Sequence, residues 1–114
     1  MSHLTILPTV LRDADCLHAS LLALGLEPRS GGRIEGFGGE SHAVELQLTL
    51  ACGEALGWSR QRDGSLALVG DLQRLSRAPG LSALLGRITR AYAARRALQD
   101  ATQLLPDAVI QLGG

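Results

Sequence analysis

The chain has no lysine, only three aromatic residues and two cysteines, and no net charge. Each scarcity excludes something. Without lysine there is no Schiff-base catalysis and no Walker-type phosphate loop, both of which need that ammonium. One Phe, one Trp and one Tyr leave an aliphatic core and few rings to stack on nucleic-acid bases. Cys16 and Cys52 lie far apart and outside any CxxC pattern, so nothing suggests a zinc knuckle or a secreted disulfide scaffold. A dedicated nucleic-acid binder usually carries a basic excess, and here acids and bases cancel. No apolar run nears the roughly 20 residues of a membrane span, and the N-terminus has no basic-then-apolar signal layout. A soluble, reducing compartment is the expectation.

What remains is an ordinary globular composition. At 114 residues and 46% hydrophobic, the chain reads as a single α+β domain over residues 1–114. A chain of this size buries roughly two-thirds of its unfolded surface, enough for a core without staples. All the basic residues are Arg, whose planar fork suits phosphate or carboxylate. Ala, Gly and Leu are plentiful too, as G+C-rich genes encode, so the bias is compositional first.

Leu4, Ile6 and Val10 mark an opening strand, with Pro8 favouring its edge or end. Asp13 fits an N-cap and Asp15 an acidic first turn. Leu17, Leu21 and Leu24 follow at helical spacing. Gly25, Leu26 and Pro28 supply a left-handed stop. Two Gly-Gly pairs bracket a brief strand over residues 33–37. Val44, Leu46, Leu48 and Leu50 then alternate with Glu45, Gln47 and Thr49, which predicts one strand with a buried and a wet face. Leu56 and Trp58 continue in a second strand, Asp63-Gly64 signals a hairpin, and Leu66, Leu68 and Val69 return. A polar connection over residues 74–80, ending in Pro79-Gly80, leads into a long helix over 81–105. Pro106 closes it, and a last strand spans 109–112. The order is β-α-β-β-β-β-α-β. Its simplest packing is a two-layer α+β sandwich, an antiparallel sheet of about five or six strands with two helices on one face. A ferredoxin-like split β-α-β, elaborated, is one form of it.

The long helix carries the sharpest anomaly. At 100° per residue, Leu81, Leu84, Leu85, Ile88 and Tyr92 share one face, while Ala94, Leu98, Ala101 and Leu105 form a rotated second stripe. Arg95 falls inside the first. A kink near residues 93–94 would free it, snorkelling would carry its head to water, and burial would need a carboxylate such as Asp71, Glu45 or Asp100. Arg87 and Arg90 project to solvent, where Arg74 and Arg77 could join them in a basic patch.

Catalytic signatures are missing. His3, His18 and His42 have no metal-ligand spacing, and Cys16 and His18, two apart on a helix, point to different sides. No GxSxG occurs, and the Gly-rich stretch over residues 31–39 matches no phosphate loop. No catalytic residue, metal site or cofactor is assigned.

Met1-Ser2-His3-Leu4, Leu24-Gly25-Leu26, Leu68-Val69-Gly70-Asp71-Leu72 and Arg87-Ile88-Thr89-Arg90-Ala91-Tyr92-Ala93 occur in an order and spacing that resembles the hypothetical chloroplast reading frame thirty-five family of cyanobacteria and algal plastids. Where members commonly read Arg-Tyr-Ala-Tyr-His, Tyr92-Ala93 is followed here by Ala94-Arg95, and the ending lacks the longer basic, aromatic tail. The resemblance implies a soluble protein of a photosynthetic lineage, in a cyanobacterial cytoplasm or plastid stroma, and supplies no reaction. The expected function is therefore that of a non-enzymatic accessory or interaction protein, photosynthesis-associated, whose partner is another protein. Arg87, Arg90, Tyr92 and Arg95 are its candidate contact surface. Alternatives are an anionic-ligand or RNA-binding module using the arginine face, and a small enzyme with a site assembled from scattered residues.

Overall fold

The computed structural model describes residues 4–104. The last expected strand, at 109–112, lies outside them. Strand β1 (Leu4–Pro8) opens the chain and stops at its proline. Beyond it Thr9 Oγ1 donates to the Leu66 carbonyl, and Leu66 N–H donates to the Leu11 carbonyl at 2.7 Å, so the chain stays strapped to its neighbour as far as Leu11. Helix α1 (Ala14–Ala23) starts where Asp13 Oδ1 accepts the Cys16 N–H at 3.1 Å. It ends as expected on Gly25, which at φ 81° lets Leu26 N–H reach back to the Leu21 carbonyl at 3.0 Å.

The strands that follow are β2 (Arg29–Ser30), β3 (Arg33–Glu35), β4 (Ser41–Ala43), β5 (Leu46–Thr49), β6 (Ala55–Arg60) and β7 (Leu66–Asp71). Four of them join β1 in an antiparallel sheet of order β1-β7-β6-β5-β2, and β3 and β4 pair separately. A helical turn, α2 (Leu72–Leu75), and the long helix α3 (Leu81–Leu104) complete the described fold. Strands then helices on one face of an antiparallel sheet make it α+β and two-layered, as the pattern predicted.

Alternation sorts the sheet's side chains. Leu46, Leu48, Leu56, Trp58 and Leu66 face α1 and α3 and join Leu17, Leu21, Ile88 and Tyr92 in the main core. The opposite face was expected to be wet. Instead Ile34 and Val44 from the β3–β4 ribbon pack on Val69, with Leu4 and Ala55 beside them, in a second, smaller core. Gly57 makes that approach possible, because a Cβ there would stand 2.7 Å from Val44 Cγ1 and 2.9 Å from Ile34 Cγ1. The strand expected across 44–50 is accordingly divided. Val44 belongs with the ribbon and Leu46 with the main sheet, and Glu45 N–H between them donates to the Trp58 carbonyl at 2.7 Å. The polar connection at 74–80 also begins with unexpected structure. Asp71 Oδ1 accepts the N–H groups of Gln73 and Arg74, at 3.1 and 3.3 Å, and starts α2.

Helix α3 runs unbroken for 24 residues, about 36 Å at 1.5 Å per residue. Its buried stripe ends at Tyr92. That settles the Arg95 anomaly. The helix does not break near 93–94, and Arg95 is exposed rather than buried, because the stripe that covers the sheet has stopped before it. The three carboxylates considered for it are engaged elsewhere: Glu45 with Arg60 at 3.5 Å, Asp71 with Arg74 at 3.7 Å, and Asp100 with Arg96 at 3.5 Å. Leu98, on the expected second stripe, is likewise 61% exposed.

Candidate functional site: an arginine-rimmed apolar cleft

Two turns build a large, mainly apolar hollow. After β5, Leu50 N–H donates to the Glu54 carbonyl at 2.7 Å and Gly53, at φ 94°, donates to the Leu50 carbonyl at 2.9 Å. Between α2 and α3, Gly80 takes φ 72° and its carbonyl receives the Leu84 N–H at 2.9 Å. The gap between these turns is a cleft of about 550 Å³ with an aliphatic wall of Leu26, Leu48, Leu50, Leu81 and Leu84, and Arg87 at its rim. A second hollow of about 340 Å³ adjoins it, lined by Cys52, Glu54, Arg74, Arg77 and Ala78. Cys52 and Ala78 line both. Arg87, Arg77 and Arg74, the last also paired with Asp71 at 3.7 Å, stand against Glu54 and give the combined surface a positive rim over an apolar floor.

One wall of the cleft is an unfinished sheet edge. Strand β2 pairs only with Leu46 and Gln47, and Pro28, just before it, has no N–H to extend the ladder. Leu48 and Thr49 therefore have no strand partner on that side among the described residues, and both line the cleft.

The four sequence-predicted contact residues are dispersed. Arg87 stands on the cleft. Arg90 is exposed and its guanidinium lies over Gly86, where a Cβ would be 3.2 Å from Nη1. Arg95 lines a shallow hollow of about 260 Å³ with Ser20, Ala23, Ala91, Ala94 and Leu98. Tyr92 is buried, and its phenol oxygen accepts the N–H groups of Arg12 and Asp13 at 3.0 and 2.9 Å. Those two donors lead into α1, so Tyr92 pins the start of that helix to α3. Arg96 reinforces the joint by reaching Asp13 Oδ2 at 3.1 Å.

A charged hollow of about 520 Å³ near the same joint is lined by Arg12, Asp13, Asp15, Glu45, Arg60 and Arg96. Its guanidiniums serve the fold: Arg96 pairs with Asp13, Arg60 with Glu45, and Arg12 donates to the Asp63 carbonyl. Both cysteines are free thiols, Cys16 buried and Cys52 exposed. Burial, and next the nearby Asp13 carboxylate, push the Cys16 thiol up from its ordinary pKa. Asp63 is held below the usual carboxylate value, first by the Ser65 hydroxyl at 2.6 Å and then by the Ser65 N–H at 2.9 Å. Among the described residues no group of three or more His, Cys, Asp or Glu could hold a metal, and no helix is long and apolar enough to cross a membrane.

The cleft residues, other than Arg87, were missed in the sequence because each is explained locally. Leu26 reads as a helix-stop contact, and Cys52 and Pro79-Gly80 read as turns. The signal that could have found them is the pairing of two Gly-containing turns, each flanked by leucines that no single element can bury.

The protein family described as "Protein of unknown function (DUF1257)" matches residues 20–104. The chain belongs to this family. The match takes in both turns, the cleft and all of described α3, and leaves β1 outside. No curated protein and no solved structure matches the chain.

Proposed function

We propose that this member of the family is a non-enzymatic interaction protein whose cleft docks a polypeptide segment of a partner, carrying apolar side chains next to acidic ones. One observation carries the reading: an aliphatic cleft with an open sheet edge on one wall and Arg87, Arg74 and Arg77 around it. An extended segment could lay apolar residues on the leucines while its carboxylates meet the guanidiniums. The finer family placement belongs to the same proposal, namely the chloroplast reading frame thirty-five family and an accessory role in a photosynthetic cytoplasm or stroma, which rests on the sequence resemblance.

Selection of random peptides on the immobilised protein tests it. The expected winners combine apolar and acidic residues, and Arg87→Glu abolishes their binding without lowering the melting temperature. Winners that bind the variant equally well, or no winners at all, would overturn the reading. The runner-up is an anionic ligand or RNA held by the same arginines. Trp58 and Tyr92 are both buried and so cannot stack on bases, and the floor is aliphatic, which favours the peptide. Tight RNA binding that falls steeply with salt would reverse that preference.

A further inference from the structure

A hollow of about 260 Å³ opens where the segment after β1, the sheet and α3 meet, and it shares no lining residue with the cleft. Trp58 and Leu68 form its sheet wall. They are cross-strand partners and so share one face of the sheet. Leu85, Ile88 and Thr89 complete it from α3 at helical spacing. The segment from Pro8 to Leu11 supplies the remaining side, fixed by the bonds of Thr9 and Leu11 to Leu66. The helix leaves this corner of the sheet uncovered. Leu68 packs against the main core yet is only half-buried, its other cross-strand partner Leu7 is 38% exposed, and Val10 is 80% exposed.

One side-chain donor in the lining is uncommitted. The Thr9 hydroxyl donates to the Leu66 carbonyl, and that of Thr89 to the Leu85 carbonyl at 2.9 Å. Trp58 is only 2% exposed, yet its indole N–H makes no hydrogen bond among the described residues. The nitrogen is not sealed in the core either. Asp71 Oδ2 is the one side-chain N or O atom among the described residues that is both fully buried and without a hydrogen-bond partner. The part of the indole left open therefore faces the hollow it lines. A donor so placed is costly without an acceptor, and buried tryptophans usually find one. No charged side chain lines the hollow, so a carboxylate or an ammonium would be stranded there.

We propose that this hollow is a second binding site, for a small neutral molecule with a hydrocarbon body and one carbonyl oxygen that accepts the Trp58 indole N–H. Size sets the ligand's length. An apolar cavity of about 150 Å³ holds a benzene ring, so 260 Å³ takes about nine or ten heavy atoms. The hydrocarbon body lies on Leu68 and Ile88 and covers Val10, while the carbonyl gives the indole the acceptor that the fold does not supply. The site is separate from the peptide-docking cleft and does not depend on it.

Trp58 is the chain's only tryptophan, so nitrogen-labelled protein shows a single indole N–H signal in a heteronuclear spectrum. When the full chain is titrated with cyclooctanone, that signal is expected to move downfield and saturate. The amides of Val10, Leu68 and Thr89 shift alongside it. Cyclooctanecarboxylate, with the same ring and a charge, moves none of them. Thr89→Phe fills the hollow from an exposed helix position and abolishes the response with an unchanged far-UV spectrum. Leu98→Phe, an aromatic placed elsewhere on α3, keeps it. An indole signal that ignores cyclooctanone, or that drifts without saturating, overturns the proposal. So does a response that survives Thr89→Phe, or a carboxylate that binds as tightly as the ketone.

Discussion

Tyr92→Phe separates structure from function on the helix where the sequence placed both. The change leaves the ring in the core and deletes one oxygen, which accepts two N–H groups at 3.0 and 2.9 Å. A neutral hydrogen bond is worth about 1 kcal/mol net, and an orphaned buried donor costs about 1–3 kcal/mol. Both donors lie in a half-buried setting where water can reach them, so the low end applies and the two together cost about 2 kcal/mol. For a domain of this size, about 4–8 °C of melting temperature accompanies each kcal/mol, so a fall of about 10 °C is expected. Urea unfolding followed by circular dichroism should show a lower midpoint with an unchanged slope. Arg95→Ala, three residues on and exposed, should stay within about 0.5 kcal/mol of wild type. Two results would refute the reasoning: a Tyr92→Phe protein as stable as wild type, or an Arg95→Ala protein that is the less stable of the pair.

Gly57→Ala forces a methyl between Val44 and Ile34, and overpacking of this kind costs about 1–3 kcal/mol, readable as a lower urea midpoint. An unchanged midpoint would mean that the β3–β4 ribbon does not cover the sheet. An alkylating reagent at mildly alkaline pH should modify Cys52 quickly in folded protein and Cys16 only after unfolding, with mass spectrometry counting the adducts. Because Cys16 keeps its proton longer when folded, stability should also decline as pH rises above the ordinary thiol value of about 8.5. Asp63 works in the opposite direction. Its folded value is depressed, so its contribution is present above the ordinary carboxylate value of about 3.9 and is lost as pH falls through the folded one. Asp63→Ala should be less stable than wild type at neutral pH, with the gap closing in acid.

Most of the scaffold could be read in the sequence because its signals are local. The Asp13 cap, the Gly25 stop, the Pro8 strand end and the Asp63-Gly64 hairpin each depend on a few neighbouring residues. What was hidden depends on contacts between distant segments. Alternation from Val44 to Leu50 looks like one strand, and nothing in it reveals that Val44 serves one core and Leu46 the other. Gly57 reads as an ordinary weak point of a strand until Val44 and Ile34 are seen against it. Helical projection put Arg95 in line with the buried stripe and left its environment open, because projection carries no information about where along α3 the sheet ends. The cleft was invisible for the same reason: Leu26, Leu50 and Leu84 come from two turns and a helix that only the fold brings together.

The central claim is that the cleft between the two turns is where this protein meets its partner. The most direct measurement is amide chemical-shift mapping of isotope-labelled protein, titrated with the tightest selected acidic-apolar peptide. Shifts are expected to concentrate on residues 48–54 and 78–87, and to vanish with Arg87→Glu. Shifts centred instead on the charged hollow around Arg12, Arg60 and Arg96, or on Arg95 and Leu98, would contradict it.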